Sequence, residues 1–218
     1  MTILAIDTST DYLSLAVMRE GKIIARFHRL SHMRHSSLLV PMIEKILKKA
    51  GVALKSIDCF AISIGPGSFT GLRIGVSTIK GLAYALDKRI VTVPTFDVIA
   101  RNVKNFEGII CPVLDARKSK VYACLYKSDG KNIKRISKYL LLSAAELMKI
   151  CEKYGKIIFL GDALHIIGKT EKGKINWHPK ADVVAKLAVG LFENKKFVSA
   201  KDLEPMYLYS RECDIKGI

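Results

Sequence analysis

The sequence predicts an α/β protein of two lobes, each a mixed sheet flanked by helices, and three observations carry that prediction. Short apolar runs alternate with helical periods along all 218 residues. The first apolar run of each half ends in an aspartate, Asp7 and Asp115. Setting one aspartate on the other brings Gly21-Lys22 within one residue of Gly130-Lys131, a weak internal repeat. The lobes are expected at 1–105 and 106–200, with the apolar tail of 201–218 docking on the first.

Thr2 to Ile6 reads as a strand ending in the polar turn Asp7-Thr8-Ser9-Thr10. Tyr12 to Met18 and Ile23 to Phe27, joined at Gly21-Lys22, complete an antiparallel meander. A helix is predicted over His35–Ala50, where Leu38, Leu39, Met42, Ile43, Ile46 and Leu47 recur at three and four; Ser36 offers a cap and Gly51 a stop. The apolar run Phe60 to Ile64 then enters Gly65-Pro66-Gly67-Ser68-Phe69-Thr70-Gly71, a strand, a tight turn and the start of a helix over about Thr70 to Leu86. Two readings of this turn stand side by side. Amides at the helix N-terminus form an anion site, with Ser68 and Thr70 as caps, or the glycines only let the helix pack tightly on its sheet. It is not a P-loop, because no Gly-Lys-Ser/Thr closes it.

A strand at Ile90–Val93 and a helix after Thr95 close the first half. In the second half, Ile109 to Asp115 is a strand, Val121 to Tyr126 alternates as another, and Asp129-Gly130-Lys131 turns. A helix (Ser143 to Lys153), a strand (Lys156 to Leu160), the turn Gly161-Asp162-Ala163 and a helix from Ala181 to about Asn194 follow.

Composition removes several classes. Half the residues are hydrophobic, so the chain is not disordered. Five scattered cysteines without a CxxC spacing give neither a disulfide framework nor a zinc site, and read as buried thiols of a reducing compartment. Asp7 and Asp11 interrupt the first apolar segment, unlike a signal peptide. No uncharged run reaches the roughly 18 residues a membrane span needs, so a soluble, cytoplasmic protein without a membrane partner is expected. The net charge of +16 favours anionic partners such as nucleic acid. From Arg117 to Lys138 there are eight basic residues and one acid, Asp129, and Lys169, Lys172, Lys174 and Lys180 follow. The plain alternative is a lysine-rich solvated surface.

Two lobes with an aspartate closing each first strand is the layout of the actin-like ATPase (ASKHA, RNase H-like) fold. Paired carboxylates in such a cleft position magnesium, water or an acceptor hydroxyl for phosphoryl transfer. The plain structural reading is that each aspartate caps a turn. The loop after Asp115, Ala116-Arg117-Lys118-Ser119-Lys120, has no glycine for phosphate to approach, and the candidate adenosine turn carries only Gly161. No metal site is expected: His32 and His35 lack a third ligand nearby, His28 lies on a strand, and His165 and His178 are isolated. Ser68 misses the GxSxG pattern by one position, and no histidine is placed to serve it.

The run Gly65-Pro66-Gly67-Ser68-Phe69-Thr70-Gly71-Leu72-Arg73-Ile74-Gly75 resembles the signature of the bacterial TsaB (YeaZ) family. Ile6-Asp7-Thr8-Ser9-Thr10, His35-Ser36-Ser37-Leu38-Leu39-Val40-Pro41, Asp115-Ala116-Arg117 and Pro205-Met206-Tyr207-Leu208 are similar to it too, so the resemblance spans the chain. That family takes part in making threonylcarbamoyladenosine in tRNA. The resemblance implies a non-catalytic paralogue of the TsaD-type transferase, with Thr95 and Ile99 where that relative has its metal-binding HxxxH histidines. It implies pairing with the transferase, a TsaE-type ATPase as a further partner, tRNA engaged through the complex, and self-association as a homodimer. The implied partner-binding residues are His35, Leu38, Leu39, Met42, Ile43 and Ile46 on the first helix and Phe69, Thr70, Arg73, Ile74, Ser77, Thr78 and Gly81 on the second. Asp7, Thr8, Ser9, Gly65, Gly67, Asp115 and Gly161 become a vestigial nucleotide cleft. The resemblance further implies that no cofactor is required and that any weak binding of ATP or ADP needs the partner. The competing reading is a nucleotide-dependent enzyme, an ATPase or kinase, using Asp7 and Asp115. The sequence departs from the family pattern at Tyr209, where a basic residue usually follows the tail motif and Arg211 comes only later.

Overall fold

The computed structural model describes residues 1–32, 34–169 and 176–208. The expectations for Lys172, Lys174, Tyr209, Arg211, Cys213 and the end of the 201–218 tail lie outside the described residues. Contacts divide the chain into two units: Met1–Val98 with His178–Pro205, and Ile99–Trp177 with the chain from Met206.

The first unit is a five-stranded sheet of order β3-β2-β1-β4-β5, built from β1 (Thr2–Asp7), β2 (Tyr12–Arg19), β3 (Lys22–Leu30), β4 (Cys59–Ser63) and β5 (Arg89–Val93). β1, β2 and β3 run antiparallel; β4 is parallel to β1 with Ile6 opposite Ile62, and β5 is parallel to β4. β1 is buried at every position and so must be covered on both faces, which is why it reads as an unbroken apolar run. On one face α1 (His35–Ala50) and α2 (Phe69–Leu86) pack Leu39, Ile43, Val76 and Ile79 against Leu4, Ile6, Leu15 and Ile62. On the other, α5 (Ala181–Glu193) packs Ala181, Val184, Ala185 and Ala188 against Ile3, Ala5, Ala16 and Ala61.

The linear split at 105/106 puts this last helix in the second lobe. Its small apolar face instead packs on the first unit's central strands, and the helix belongs to that unit. The helix caps also differ in part from expectation. Arg34, not Ser36, precedes α1 and gives no side-chain cap, whereas Gly51 takes the left-handed stop (φ 61°). Ser68 does cap α2, accepting from the Gly71 amide at 3.2 Å, and Thr70 lies inside the helix. From the tail, Leu203 is buried in the first unit's core, and Lys80 Nζ donates to the carbonyls of Lys201 (3.2 Å) and Leu203 (3.4 Å).

The second unit contains β6 (Glu107–Asp115), β7 (Lys120–Ala123), β8 (Tyr126–Asp129), β9 (Ile133–Arg135), β10 (Leu140–Ser143) and β11 (Ile157–Leu160), in the order β10-β7-β6-β8-β9, with β11 parallel to β6. The single strand expected over Val121 to Tyr126 is broken in two. Both pieces keep one antiparallel register on β6, Val113 opposite Ala123 and Ile110 opposite Tyr126. Pro112 falls between those pairs and has no N–H to give the ladder. The order β9-β8-β6-β11 repeats β3-β2-β1-β4, so the internal repeat is real, with Gly21 (φ 76°) and Gly130 (φ 91°) in the matching turns. α4 (Ala144–Cys151) opens on a full capping box between Ser143 and Glu146. α3 (Thr95–Ala100) is the short helix after β5. Cys59, Cys111, Cys124 and Cys151 are free thiols, all buried.

Candidate functional site

β1 delivers Asp7 to the end of its strand, and the carboxylate is fully enclosed, with 0% exposure. Asp7 Oδ1 accepts from the Ser9 amide (3.0 Å) and the Ser9 hydroxyl (2.9 Å), the geometry of a side chain capping its own turn. Asp7 Oδ2 and the hydroxyls of Thr8 and Ser63 are buried without a hydrogen-bond partner. Burial pushes the Asp7 carboxyl up to about 6, against the pull of nearby Ser63 and of the Ser9 amide and hydroxyl. The Ser63 hydroxyl lies near the carboxylate without forming a hydrogen bond of normal geometry.

The glycine turn is seated directly on this strand end. The Ser68 amide donates to the Ser9 carbonyl at 2.7 Å. A Cβ on Gly67 would stand 2.2 Å from the Ser9 carbonyl oxygen, one on Gly71 2.1 Å from that of Thr8, and one on Gly75 2.3 Å from Thr8 Oγ1. Gly65 is tied to Thr95, its amide donating to Thr95 Oγ1 (3.2 Å) and its carbonyl accepting from the Thr95 amide (2.8 Å). Amides of Ser68 and Gly71 are thus engaged by the protein itself, and the glycines permit close backbone approach. Of the two readings, tight packing is the one the geometry favours over an anion site.

In the second unit Asp115 likewise caps a turn: Oδ1 accepts from the Arg117 amide (2.7 Å) and Oδ2 pairs with its guanidinium (3.3 Å). Its own amide donates to Asp162 Oδ1 at 2.8 Å, a partner the sequence reading missed because it lies 47 residues away. Gly161 (φ 137°) passes so close to β6 that a Cβ would stand 1.8 Å from the Val113 carbonyl oxygen. Arg117, Lys118 and Ser119 all take positive φ (64°, 50° and 57°), so this loop makes its turn without glycine.

The expected partner-binding residues divide by burial. His35, Leu39, Ile43 and Ile46 are buried in their own unit and form no surface, because they are the inner stripe of an amphipathic helix on a sheet. Leu38 and Met42 are half-buried against the same core. On α2, Phe69, Arg73, Ser77 and Gly81 form an exposed stripe at a spacing of four, flanked by Thr70 (exposed) and Ile74 and Thr78 (half-buried). The Arg73 guanidinium lies over the Phe69 ring, 3.7 Å from its centroid. Tyr84 and Val40, 82% and 58% exposed, extend the apolar surface and were missed, Tyr84 three residues beyond Gly81 and Val40 beside Leu39 on the outer side of α1. Gly81 has open space where a Cβ would be, so its own unit does not require glycine there.

The histidines are less scattered than their spacing implies. Tyr12 stacks with His28 (centroids 4.8 Å apart) and with His178 (3.9 Å), and His35 contacts the Ser31 hydroxyl and the Tyr12 carbonyl. Among the described residues no group of three His, Cys, Asp or Glu is placed to hold a metal. Burial lowers His28, with Lys180 adding and Asp182 opposing. Burial, then His28, lowers His178 to about 4, with Asp11 opposing and Lys180 adding.

Opposite pH effects follow. Unfolded histidine takes up its proton near 6.5 and folded His178 only near 4, so that stability is present above 6.5 and lost as pH falls toward 4. Folded Asp7 is protonated below about 6 and unfolded Asp near 3.8, so the fold carries its ionisation penalty above 6 and sheds it on acidification. That penalty is roughly 3 kcal/mol. Asp7→Asn is expected to raise stability at pH 7.5 and to steepen the loss between pH 6 and 4, as read by urea unfolding across that range. An unchanged profile would show that Asp7 carries no such penalty.

Comparison with known proteins matches this architecture. The family model described as TsaD, tRNA N6-adenosine threonylcarbamoyltransferase, matches residues 29–199. The tRNA threonylcarbamoyladenosine biosynthesis protein TsaB of Bacillus subtilis is 32% identical, the alignment covering 100% of this chain and 98% of that protein. Its Escherichia coli counterpart is 30% identical over 95% of this chain and 94% of its own length. The structure described as YeaZ from Pseudomonas aeruginosa superposes with a TM-score of 0.80 at 25% identity, covering 95% of this chain and 99% of that one. Among the described residues no helix is long and apolar enough to cross a membrane. With near-complete reciprocal coverage of named relatives, the glycine-turn signature and the repeated-sheet architecture together, the chain belongs to the TsaB (YeaZ) family of tRNA threonylcarbamoyladenosine biosynthesis proteins.

Proposed function

We propose that this chain is a non-catalytic, cytoplasmic subunit that activates a TsaD-type transferase by pairing with it through the outer face of α2 and the exposed edge of α1. The observation that carries the reading is the stripe Phe69, Arg73, Ser77, Gly81, continued by Tyr84: aromatic and small side chains with one arginine, exposed on a helix whose opposite face already fills the core. The same stripe serves self-association when the transferase is absent. A TsaE-type ATPase joins the pair, and the assembly modifies the adenosine beside the tRNA anticodon. The chain itself requires no cofactor, and ATP or ADP binds weakly, only with the partner present. Two features support a non-catalytic role. Asp7 is enclosed and turned inward, and the positions implied for the transferase's histidines hold Thr95 and Ile99, both fully buried, with Thr95 clamping Gly65.

The test is reconstitution of tRNA threonylcarbamoylation from the transferase and ATPase, with and without this chain. Modification is expected to require it. Gly81→Arg, which has room in its own unit, is expected to leave the monomer folded yet reduce pairing and modification at least tenfold. Full modification without the chain would end the proposal. The ATPase or kinase alternative would then be examined as magnesium-dependent ATP turnover by the chain alone, abolished by Asp7→Asn.

A further inference from the structure

We propose that the β8–β9 hairpin of the second unit is a phosphate-contacting surface for RNA, with Lys127, Lys131 and Lys134 as its contacts. Lys127 and Lys134 are directly opposite each other on adjacent antiparallel strands, both exposed. Cβ atoms in that relation are about 5 Å apart, and like charges so placed destabilise a sheet. Lys131, also exposed, stands in the turn that joins the two strands. Lys131 is three residues from Lys134, so it stands within about 10 Å of the pair, at most about three steps of a nucleic-acid strand at 3.4 Å each.

Most of the carboxylates in the unit named here are held by the protein's own backbone. In the hairpin itself, Asp129 Oδ1 accepts from the amides of Lys131 (2.9 Å) and Asn132 (2.7 Å), and Oδ2 from Asn132 Nδ2 (3.2 Å). Those bonds hold its carboxyl below the usual range. Elsewhere in the unit Asp115 and Asp162 close the end of β6, and Glu146 completes the capping box of α4. Glu107 lies against Gly130 at the base of the turn, its carboxylate oxygen 3.7 Å from where a Cβ would be. Asp115, Asp129, Asp162 and Glu146 therefore serve turns and caps, Glu107 is the exposed carboxylate beside the turn, and the three lysines are exposed. Among the described residues, none of the three lysines has an ion pair within 4.0 Å.

The hairpin offers no aromatic face to a base: Tyr126 is buried. The surface therefore reads charge spacing, and sequence plays no part. That the RNA is tRNA rests on the function proposed above; that the hairpin takes a phosphate backbone does not.

The experiment measures affinity of the full chain, alone and paired with the transferase, for a tRNA transcript across a range of salt concentrations. Lys127→Gln/Lys131→Gln/Lys134→Gln is compared with Lys195→Gln/Lys196→Gln/Lys201→Gln, an equal charge change in the first unit. The hairpin variant is expected to bind at least tenfold more weakly near 0.1 M salt, with the slope of log affinity against log salt reduced by about two to three. The control variant should match the parent, and a tRNA lacking the modifiable adenosine should bind as well as one that has it. Equal losses in both variants would overturn the proposal in favour of diffuse surface charge. Unchanged RNA binding with new self-association would overturn it too, leaving the lysines as guards of an edge strand. So would loss of binding to phosphatidylserine vesicles with RNA binding intact. If modification proved independent of this chain, the function above would fall while the RNA measurement still decided the hairpin.

Discussion

Replacing Gly71 by alanine is expected to lower the unfolding free energy by about 3 kcal/mol. The added Cβ would stand 2.1 Å from the Thr8 carbonyl oxygen, a backbone atom that cannot rotate out of the way as a side chain would. Thr8 directly follows β1, which is paired on both sides, Ile6 lying opposite Leu15 on one neighbour and Ile62 on the other. The strand end therefore cannot retreat, and the N-terminal turn of α2 must lift, straining the Ser68–Ser9 hydrogen bond. Helix propensity works the other way, favouring alanine by about 1 kcal/mol, so the net loss understates the clash. Gly81→Ala is the internal control. It gains the same propensity and meets nothing within 4 Å, and is expected to stabilise the chain by up to about 1 kcal/mol. Urea unfolding of the two variants beside the parent measures both, and equal stability of all three would mean that the turn is not seated as described.

Leu39→Asp is expected to prevent folding, a loss of about 4–5 kcal/mol or more. Leu39 is fully enclosed between α1 and the sheet in the apolar cluster that holds Leu15, Ile43 and Phe60, where a carboxylate would be desolvated. Val40→Asp, one residue on and 58% exposed, should stay within about 0.5 kcal/mol of the parent. Circular dichroism melts of the pair decide between the two faces of α1. A folded, monomeric Leu39→Asp protein would return that residue to the partner surface.

This contrast marks where sequence reading reached and where it stopped. The period of α1 located the helix at both ends, His35 and Ala50, because three-and-four recurrence and a glycine stop are local signals. It did not say which face of that helix was inner. Of the α1 residues that the resemblance implied for a partner, His35, Leu39, Ile43 and Ile46 are the helix's own core contact, and Leu38 and Met42 are half-buried. The glycine turn was legible as strand, turn and helix, but its choice between anion site and tight packing depended on Thr8 and Ser9, some sixty residues earlier. α5 was located to within a residue, yet its placement on the first sheet depended on Ile3, Ala5 and Ala61 needing cover. Likewise Asp162 and the stacking of His28 and His178 on Tyr12 join residues far apart in the chain, and no spacing announces them.

The seating of α2 on the end of β1 bears on how cheaply the first unit can associate. Much of what opposes association is the entropy of ordering side chains and loops at the contact. Here the outward stripe stands on a helix whose first turn is locked at Gly67, Gly71 and Gly75 against Thr8 and Ser9. No segment has to fold for that stripe to be presented. The surface is preorganised, and a short row of small and aromatic side chains can then support a binding affinity that a mobile loop of equal area would not reach.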